Sequence, residues 1–117
     1  MDLSKAIEKH AAWKIKFRSA IANKETMDAA GIGSDHGCDL GSWLHGEGKT
    51  RFGALTSHAN CVGRHASFHA EAGRVARAIN ARRYAEAEAM MGSGTPYGEA
   101  SSAVGLALMQ LKKEAKL

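Results

Sequence analysis

The segment LTSHANCVGRHASFHAEAGRVA, residues 55–76, carries the pattern on which a fold prediction can be built. Its apolar and histidine side chains recur at spacings of three, four and seven residues, which places them on one face of an α-helix. That face consists of Leu55, Val62, His65, His69, Ala72 and Ala76. The pattern predicts one long helix that starts near Lys49 and ends at about Ile79 or Asn80.

Three more helices are predicted from similar patterns. Residues 3–30 contain neither Gly nor Pro, and their apolar stripe is formed by Leu3, Ile7, His10, Phe17 and Ile21. Residues 81–91 form a third predicted helix, which Gly92-Ser93-Gly94 ends. The pair Thr95-Pro96 is typical of an N-cap followed by a first-turn proline. We therefore expect the last helix to run from there to about Lys113.

Between the first two long helices lies CDLGSWLHGEG, residues 38–48, with glycines before it and at its end. Its apolar residues Leu40, Trp43 and Leu44 predict one or two helical turns that begin at Cys38. Short connections between four long helices favour an all-α, antiparallel four-helix bundle, with this additional short helix carrying the cysteine. The 117 residues suit a single domain, residues 1–117.

Composition and charge limit the cellular location and the kinds of binding partner that the sequence predicts. The start, MDLSKAIEKH, is charged from its second residue, unlike a signal peptide, and no stretch approaches the roughly 20 apolar residues of a membrane span. Without a secretory signal the two cysteines are expected to be reduced, so we predict a cytoplasmic protein. A net charge of +4 allows a nucleic-acid surface, but acidic residues interrupt the basic ones and no binding motif accompanies them. We favour a solvated helix face, with neither nucleic acid nor membrane as a partner.

Three histidines occupy positions where apolar side chains would be expected. His65 and His69 are four residues apart, so both imidazoles lie on one helix face and can reach one metal ion at about 2.0–2.1 Å. His10 interrupts the apolar stripe of the first helix, and a buried imidazole is costly unless its nitrogens find partners. Taken singly, each of these residues is also explained as a core histidine that is hydrogen-bonded to the backbone.

Cys38 follows a glycine-rich loop and opens a helical turn. Exposed backbone N–H groups at such a turn stabilise a thiolate, which is the form that zinc binds. The alternative is that Cys38 is simply a small buried apolar residue. In a bundle, however, Cys38 and the three histidines can converge, and three nitrogens with one sulfur suit tetrahedral zinc. We therefore predict one Zn²⁺ per chain, bound by His10, Cys38, His65 and His69.

The remaining cysteine and histidines fit this site less well. Cys61 and His69 are about 12 Å apart along a helix at 1.5 Å per residue, so they cannot share one ion. Cys61 is therefore expected to pack in the core or to be a spare thiol. His58 lies two turns from His65 on the same face. His36 and His45 fall in glycine-rich stretches, where we expect them to be exposed.

At this point three motifs make a resemblance specific: His10-x-x-Trp13, Cys38-Asp-Leu40-Gly41-Ser-Trp43, and His65-Ala-Ser-Phe68-His69. The chain resembles the chemoreceptor zinc-binding (CZB) domain family, which is marked by HxxW, CxLGxW and HxxFH in this order. The resemblance implies a helical bundle, often homodimeric, whose zinc ligands map onto His10, Cys38, His65 and His69. It also implies attachment to bacterial signalling proteins, notably chemoreceptors and diguanylate cyclases, that sense zinc or oxidants through the zinc-bound cysteine. Because this chain has no output domain, we expect a free-standing member or a domain cut from a longer protein.

Four further motif residues are given roles by their positions. Trp13, Trp43 and Phe68 can wall the metal site, limit water and hold the ligand rotamers. Gly41, which has no side chain, would let the Cys38 turn approach a neighbouring helix closely. The alternative for all four is plain core packing, and the two roles are compatible.

These features favour a sensor over an enzyme. Cys38 is the only predicted ligand on a short segment between glycine-rich loops, so zinc loss or oxidation of Cys38 would free that segment to move. A catalytic zinc site normally keeps an open position for water, which four protein ligands would close, and HExxH is absent.

Two other functions stay open from the sequence. A hemerythrin-like di-iron bundle that binds oxygen would need bridging carboxylates, whereas Glu8, Glu25 and Glu71 lie mostly off the apolar stripes. A metal-free helical interaction module would need no ligand set at all.

Overall fold

The computed structural model describes residues 1–117, which fold entirely into helices and connecting turns. There are eight helices: α1 Leu3–Ala11, α2 Trp13–Asn23, α3 Ala29–Ile32, α4 Asp39–His45, α5 Glu47–Phe52, α6 Thr56–Asn80, α7 Tyr84–Met90 and α8 Pro96–Ala115. The predicted all-α bundle is confirmed. No helix is both long enough and apolar enough to cross a membrane.

The first predicted helix is interrupted and ends earlier than its sequence suggested. Ala12 separates α1 from α2, but its φ of −69° and ψ of −15° are still right-handed helical, so the two helices are nearly continuous. The helix stops at Asn23 rather than near Ala30, because Lys24 turns into the left-handed region at a φ of 54°. Asn80 then holds Met27 in place, with its side chain bonded to both the N–H at 2.7 Å and the C=O at 2.8 Å. These two tertiary hydrogen bonds outweigh the local preference for helix.

The prediction of one unbroken helix from Lys49 to Asn80 was also wrong. The chain forms α5 and α6 with a break at residues 53–55, where Leu55 is extended at a ψ of 134°. Gly53 lies at the break. Glycine loses more conformational entropy than any other residue when it is fixed in a helix, so it disfavours helix here. The third predicted helix is shortened to α7, because Arg82 adopts a φ of 63° after α6.

The last helix matches its prediction closely. Thr95 caps α8 by accepting a hydrogen bond from the Gly98 N–H at 3.1 Å, and Pro96 occupies its first turn. The helix ends at Ala115, two residues beyond the predicted end.

The part of the chain that connects α2 with α6 forms one side of the bundle. This connecting segment, residues 24–55, runs antiparallel to α6. Three hydrogen bonds to α6 show this direction. Met27 pairs with Asn80, Ile32 with His69, and Leu44 with His58, so residue numbers rise in the segment as they fall in α6. The bundle is therefore made of α1–α2, the broken connecting segment, α6 and α8, while α7 is a short link between the last two.

The directions of the other elements follow from contacts at their ends. Ser4 near the start of α1 meets Lys112 near the end of α8, and Phe17 in α2 packs on Tyr97 at the start of α8. The pair α1–α2 is therefore antiparallel to α8. A single core lies between the elements, with Phe17, Phe68 and Leu108 fully buried.

One glycine pair sets how closely α3 lies on α6. A Cβ added to Gly73 would come within 2.9 Å of the Gly33 Cα, which is closer than real Cβ contacts. The bare backbones of the two residues therefore touch at this crossing. Because Ile32 precedes Gly33, the crossing also brings the Ile32 carbonyl within reach of His69 on α6.

We predict that Gly73→Ala destabilises the protein by about 1–3 kcal/mol, because the added methyl group must push α3 away from α6. Gly63→Ala on the same helix is the matched control, since a Cβ there meets nothing within 4 Å. That variant should gain about 0.5–1 kcal/mol from helix propensity. Urea unfolding of both variants measures the difference, and equal stabilisation by the two substitutions would contradict the close crossing.

Candidate metal centre

The structure brings the four predicted ligands together. His10 lies in the last turn of α1, Cys38 is the N-cap residue of α4, and His65 and His69 face inward from the middle of α6. One donor atom from each of the four residues lies within 4.8 Å of all the others. The site therefore joins three separate parts of the bundle: α1, the connecting segment and α6.

The spacing of the donor atoms suits a tetrahedral ion. The Cys38 Sγ lies 3.3 Å from His65 Nε2 and 3.5 Å from His69 Nε2, and His65 Nε2 lies 3.2 Å from His10 Nε2. Zinc bonds of about 2.05 Å to nitrogen and about 2.3 Å to sulfur, at tetrahedral angles, require edges of roughly 3.3 Å and 3.6 Å. The three observed edges are close to these lengths.

Two of the imidazoles are oriented by the backbone. The Nδ1–H of His10 donates to the Ala6 carbonyl and that of His69 donates to the Ile32 carbonyl, each at 2.7 Å. A neutral imidazole has one N–H, so in both rings the Nε2 atom carries a free lone pair. These two lone pairs, like the sulfur of Cys38, face the region between the four donor atoms. Such a group of acceptors requires a cation or shared protons between its members, and backbone-oriented rings of this kind are the usual outer support of metal-bound histidines.

His65 completes the set in a different way. Its ring is fully buried, and its Nδ1 atom has no hydrogen-bond partner within the protein. Burial, with His69 and His10 beside it, lowers the pKa of His65 to about 3. Burial also lowers the pKa of His10. Both rings are therefore neutral at pH 7, which is the form that binds a metal ion.

Cys38 is the least buried of the four residues, and a glycine shapes its surroundings. The Gly41 N–H donates to the Cys38 Sγ at 3.4 Å, so the sulfur caps the first turn of α4. A Cβ on Gly41 would overlap the carbonyl oxygen of Asp35 and lie 3.3 Å from His65 Cε1. Gly41 therefore lets the first turn of α4 sit directly against the backbone of Asp35 and close to the His65 ring.

The three aromatic residues of the motifs have different surroundings. Phe68 is fully buried and packs edge-on against the His10 ring, at 5.3 Å between ring centroids. Trp13 packs against Phe17 at 5.5 Å and lies at the outer edge of the site. Trp43 packs on Phe52, so it joins α4 to α5. Phe68 thus walls the histidines directly, Trp13 borders the opening, and Trp43 supports the helix that follows Cys38.

An open groove of about 540 Å³ reaches the site from outside. His10, Trp13 and Cys38 line it, together with three lysines, Lys5, Lys9 and Lys16. Asp2 and Asp39 also line this groove, so its wall carries both signs of charge. Solvent and small molecules can approach the sulfur of Cys38 through it.

The other cysteine and histidines lie apart from the four-residue cluster. Cys61 is fully buried, and burial raises its pKa to about 12, so it is an unreactive core thiol as expected. His58 is buried and bonds through Nε2 to the Leu44 carbonyl at 2.8 Å. His36 is exposed as predicted, but the same prediction for His45 was wrong. Its side chain is only 31% exposed, because it bonds to the Asp35 carboxylate at 3.1 Å.

A family model described as the chemoreceptor zinc-binding domain (CZB) matches residues 10–76. The match covers more than half of the chain and contains all four clustered residues, so the chain belongs to this family. No curated protein and no solved structure gives a significant match to the chain. The resemblance inferred from the three motifs is thereby confirmed.

We predict that Cys38→Ala and His65→Ala each bind zinc more than about 100-fold more weakly than the unaltered chain, because even the outer partners of metal ligands contribute 10–100-fold. Cys61→Ala removes the only other thiol and should keep one full zinc per chain. Metal analysis after dialysis against a competing chelator measures the difference. A full zinc equivalent in both ligand variants would show that the ligand assignment is wrong.

Proposed function

We propose that this chain is a sensor domain in which His10, Cys38, His65 and His69 bind one zinc ion, and in which zinc occupancy sets the position of the Cys38 segment, residues 33–45. The observation that carries the proposal is the meeting of two backbone-oriented Nε2 lone pairs, a third imidazole and one sulfur at near-tetrahedral spacing. When bound, zinc supplies the positive charge that makes this convergence favourable.

Cys38 is proposed as the moving ligand. His65 and His69 belong to a 25-residue helix packed on several neighbours, and His10 is anchored to its own helix at Ala6. Cys38 instead follows a run of turns and opens a helix of seven residues. Loss of the ion removes the charge that holds the four donors together, and we expect the ligand on the shortest helix to move first.

Oxidation of Cys38 is proposed as a second way to open the site. A peroxide reaching Cys38 along the lysine-lined groove would transfer one oxygen atom to the thiolate. The sulfur would be oxidised by two electrons to a sulfenic acid, and the peroxide would be reduced to water or an alcohol. The modified sulfur is a poorer zinc ligand. Cys61, buried and with a raised pKa, would be spared.

A sensor role is favoured over catalysis and over oxygen binding. Four protein donors leave no open position for a substrate water, as a catalytic zinc site requires. The cluster also contains no carboxylate, whereas a hemerythrin-like di-iron site needs bridging carboxylates. We therefore propose that the domain acts on another protein rather than on a small substrate.

The output is proposed to pass through a homodimer to a bacterial signalling protein of the chemotaxis or cyclic-di-GMP type. Large apolar side chains are exposed on the outer surfaces of two helices: Ile15 on α2, and Leu106 and Met109 on α8. Leu106 and Met109 are three residues apart, so they share a helix face. Covering such side chains is what a dimer contact would achieve.

We predict that chelation of zinc accelerates amide hydrogen exchange in residues 33–45 by at least about tenfold, which corresponds to about 1.4 kcal/mol of lost local stability. Amides in the middle of α8 should change little, and Cys38→Ala should exchange fast with or without chelator. Hydrogen-exchange mass spectrometry measures all three, with native mass spectrometry counting zinc and chains. Equal acceleration throughout α8 would contradict a local switch, and full stability with no zinc bound would favour the metal-free module.

We predict that peroxide releases zinc from the unaltered chain and from Cys61→Ala at the same rate. Of the two cysteines, only Cys38 should carry the added oxygen, because it lines the open groove whereas Cys61 is fully buried. A zinc-sensitive dye and peptide mass mapping provide the two readouts. Zinc release with modification of Cys61 alone would refute the proposed route.

A further inference from the structure

A second cluster of metal-binding side chains lies on the outer side of the Cys38 segment. The His45 Nε2 lies 3.1 Å from one oxygen of the Asp35 carboxylate, and the His36 Nε2 lies 4.0 Å from the other. One donor atom from each of these residues lies within 4.8 Å of the other two. None of the three belongs to the four-residue centre described above.

The connecting segment itself holds this cluster in place. Asp35 and His36 lie in a turn closed by hydrogen bonds from Ser34 to Gly31 and from Gly37 to Ser34, both at 3.2 Å. The short helix α4 then brings His45 back over this turn. Gly41 makes the return close enough, because its missing side chain leaves room for the Asp35 carbonyl. The three side chains are therefore arranged by local structure, without a partner from another helix.

The hydrogen bond between His45 and Asp35 does not explain the position of His36. At 4.0 Å the contact between His36 and Asp35 is too long for a hydrogen bond. Even so, the His36 ring stacks on the His45 ring, with centroids 4.1 Å apart and planes at 20°. Both Nε2 atoms thus lie on the side of the same carboxylate. Two imidazoles that share one carboxylate form a ready ligand set for a cation.

The charge and the ligand types indicate which cation. Burial alone would raise the pKa of Asp35, but the hydrogen bond from His45 and the nearby His36 outweigh it and lower the pKa, so the carboxylate is ionised. Two imidazole nitrogens and one carboxylate oxygen suit zinc, nickel, copper or ferrous ions, rather than calcium or magnesium. His36 is 68% exposed, so water can complete the coordination. Such a site would bind more weakly than a buried site with four protein ligands.

We propose that Asp35, His36 and His45 form a second, solvent-facing site for a divalent transition-metal ion such as zinc. The ion would link the turn before Cys38 to the end of α4, and so would tie together both ends of the segment that carries Cys38. Occupancy of this outer site would slow the release of the inner zinc ion, since Cys38 could leave only after the link had opened. This slowing rests on the proposed movement of Cys38, whereas binding at the outer site does not.

The test is a titration of the full chain, already holding one zinc equivalent, with zinc chloride. The unaltered chain should take up a second, weaker equivalent that shifts the ring-proton NMR signals of His36 and His45 and leaves those of His58 unchanged. Each of His36→Ala, His45→Ala and Asp35→Asn should weaken this second equivalent at least tenfold. Asp39→Asn is the matched control, because Asp39 is an exposed carboxylate on the same segment outside the cluster, and it should bind two equivalents.

Three outcomes would overturn the outer site: no second equivalent, a second equivalent that survives all three substitutions, or one that Asp39→Asn removes equally. The Cys38→Ala chain separates this result from the proposed inner site. This variant should still bind a zinc ion at the outer site even though it no longer binds one at the inner site. A second equivalent that binds as predicted but leaves the rate of inner zinc release unchanged would overturn only the link between the two sites.

Discussion

The hydrogen bonds from His10 to the Ala6 carbonyl and from His69 to the Ile32 carbonyl constrain the whole centre. Each bond uses the only N–H of a neutral imidazole and thereby turns a lone pair inward. Together with the Cys38 sulfur, these lone pairs form a set of donors arranged to suit a cation. The proposed zinc binding and the proposed movement thus depend on the same four donor atoms.

The need to orient these donor atoms explains two features of the connecting segment, the very short helix α3 and the glycines at close contacts. The helix α3 has only four residues, too few to be stable alone, yet it supplies the carbonyl that orients His69. Its place against α6 depends on the bare backbones of Gly33 and Gly73. Near Cys38, Gly41 lets α4 lie against the backbone of Asp35 and close to the His65 ring. The glycines of the connecting segment therefore serve the site through close packing.

The centre also has a rigid half and a half that is proposed to move. His65 and His69 share one long helix, so their separation is set by the helical repeat. Cys38 is held by a turn, a seven-residue helix and a hydrogen bond from Gly41. The Asp35, His36 and His45 cluster lies on this second half alone. Any ion bound there would act on this half without touching the helices that hold the histidines.

The sequence by itself determined the helical class, the last helix with its Thr95 cap, and the four residues that meet at the centre. The spacing of His65 and His69 is set within one helix, and the apolar stripes mark the buried helix faces. The three family motifs added His10 and Cys38 to this pair. Only the tertiary structure decided where α2 ends, because Asn80 holds Met27 from 53 residues away in the chain. It also decided that a broken connecting segment, rather than residues 81–91, forms one side of the bundle. The partnership of Asp35, His36 and His45 depends on how a turn and a short helix fold back on each other, and no local periodicity records that geometry.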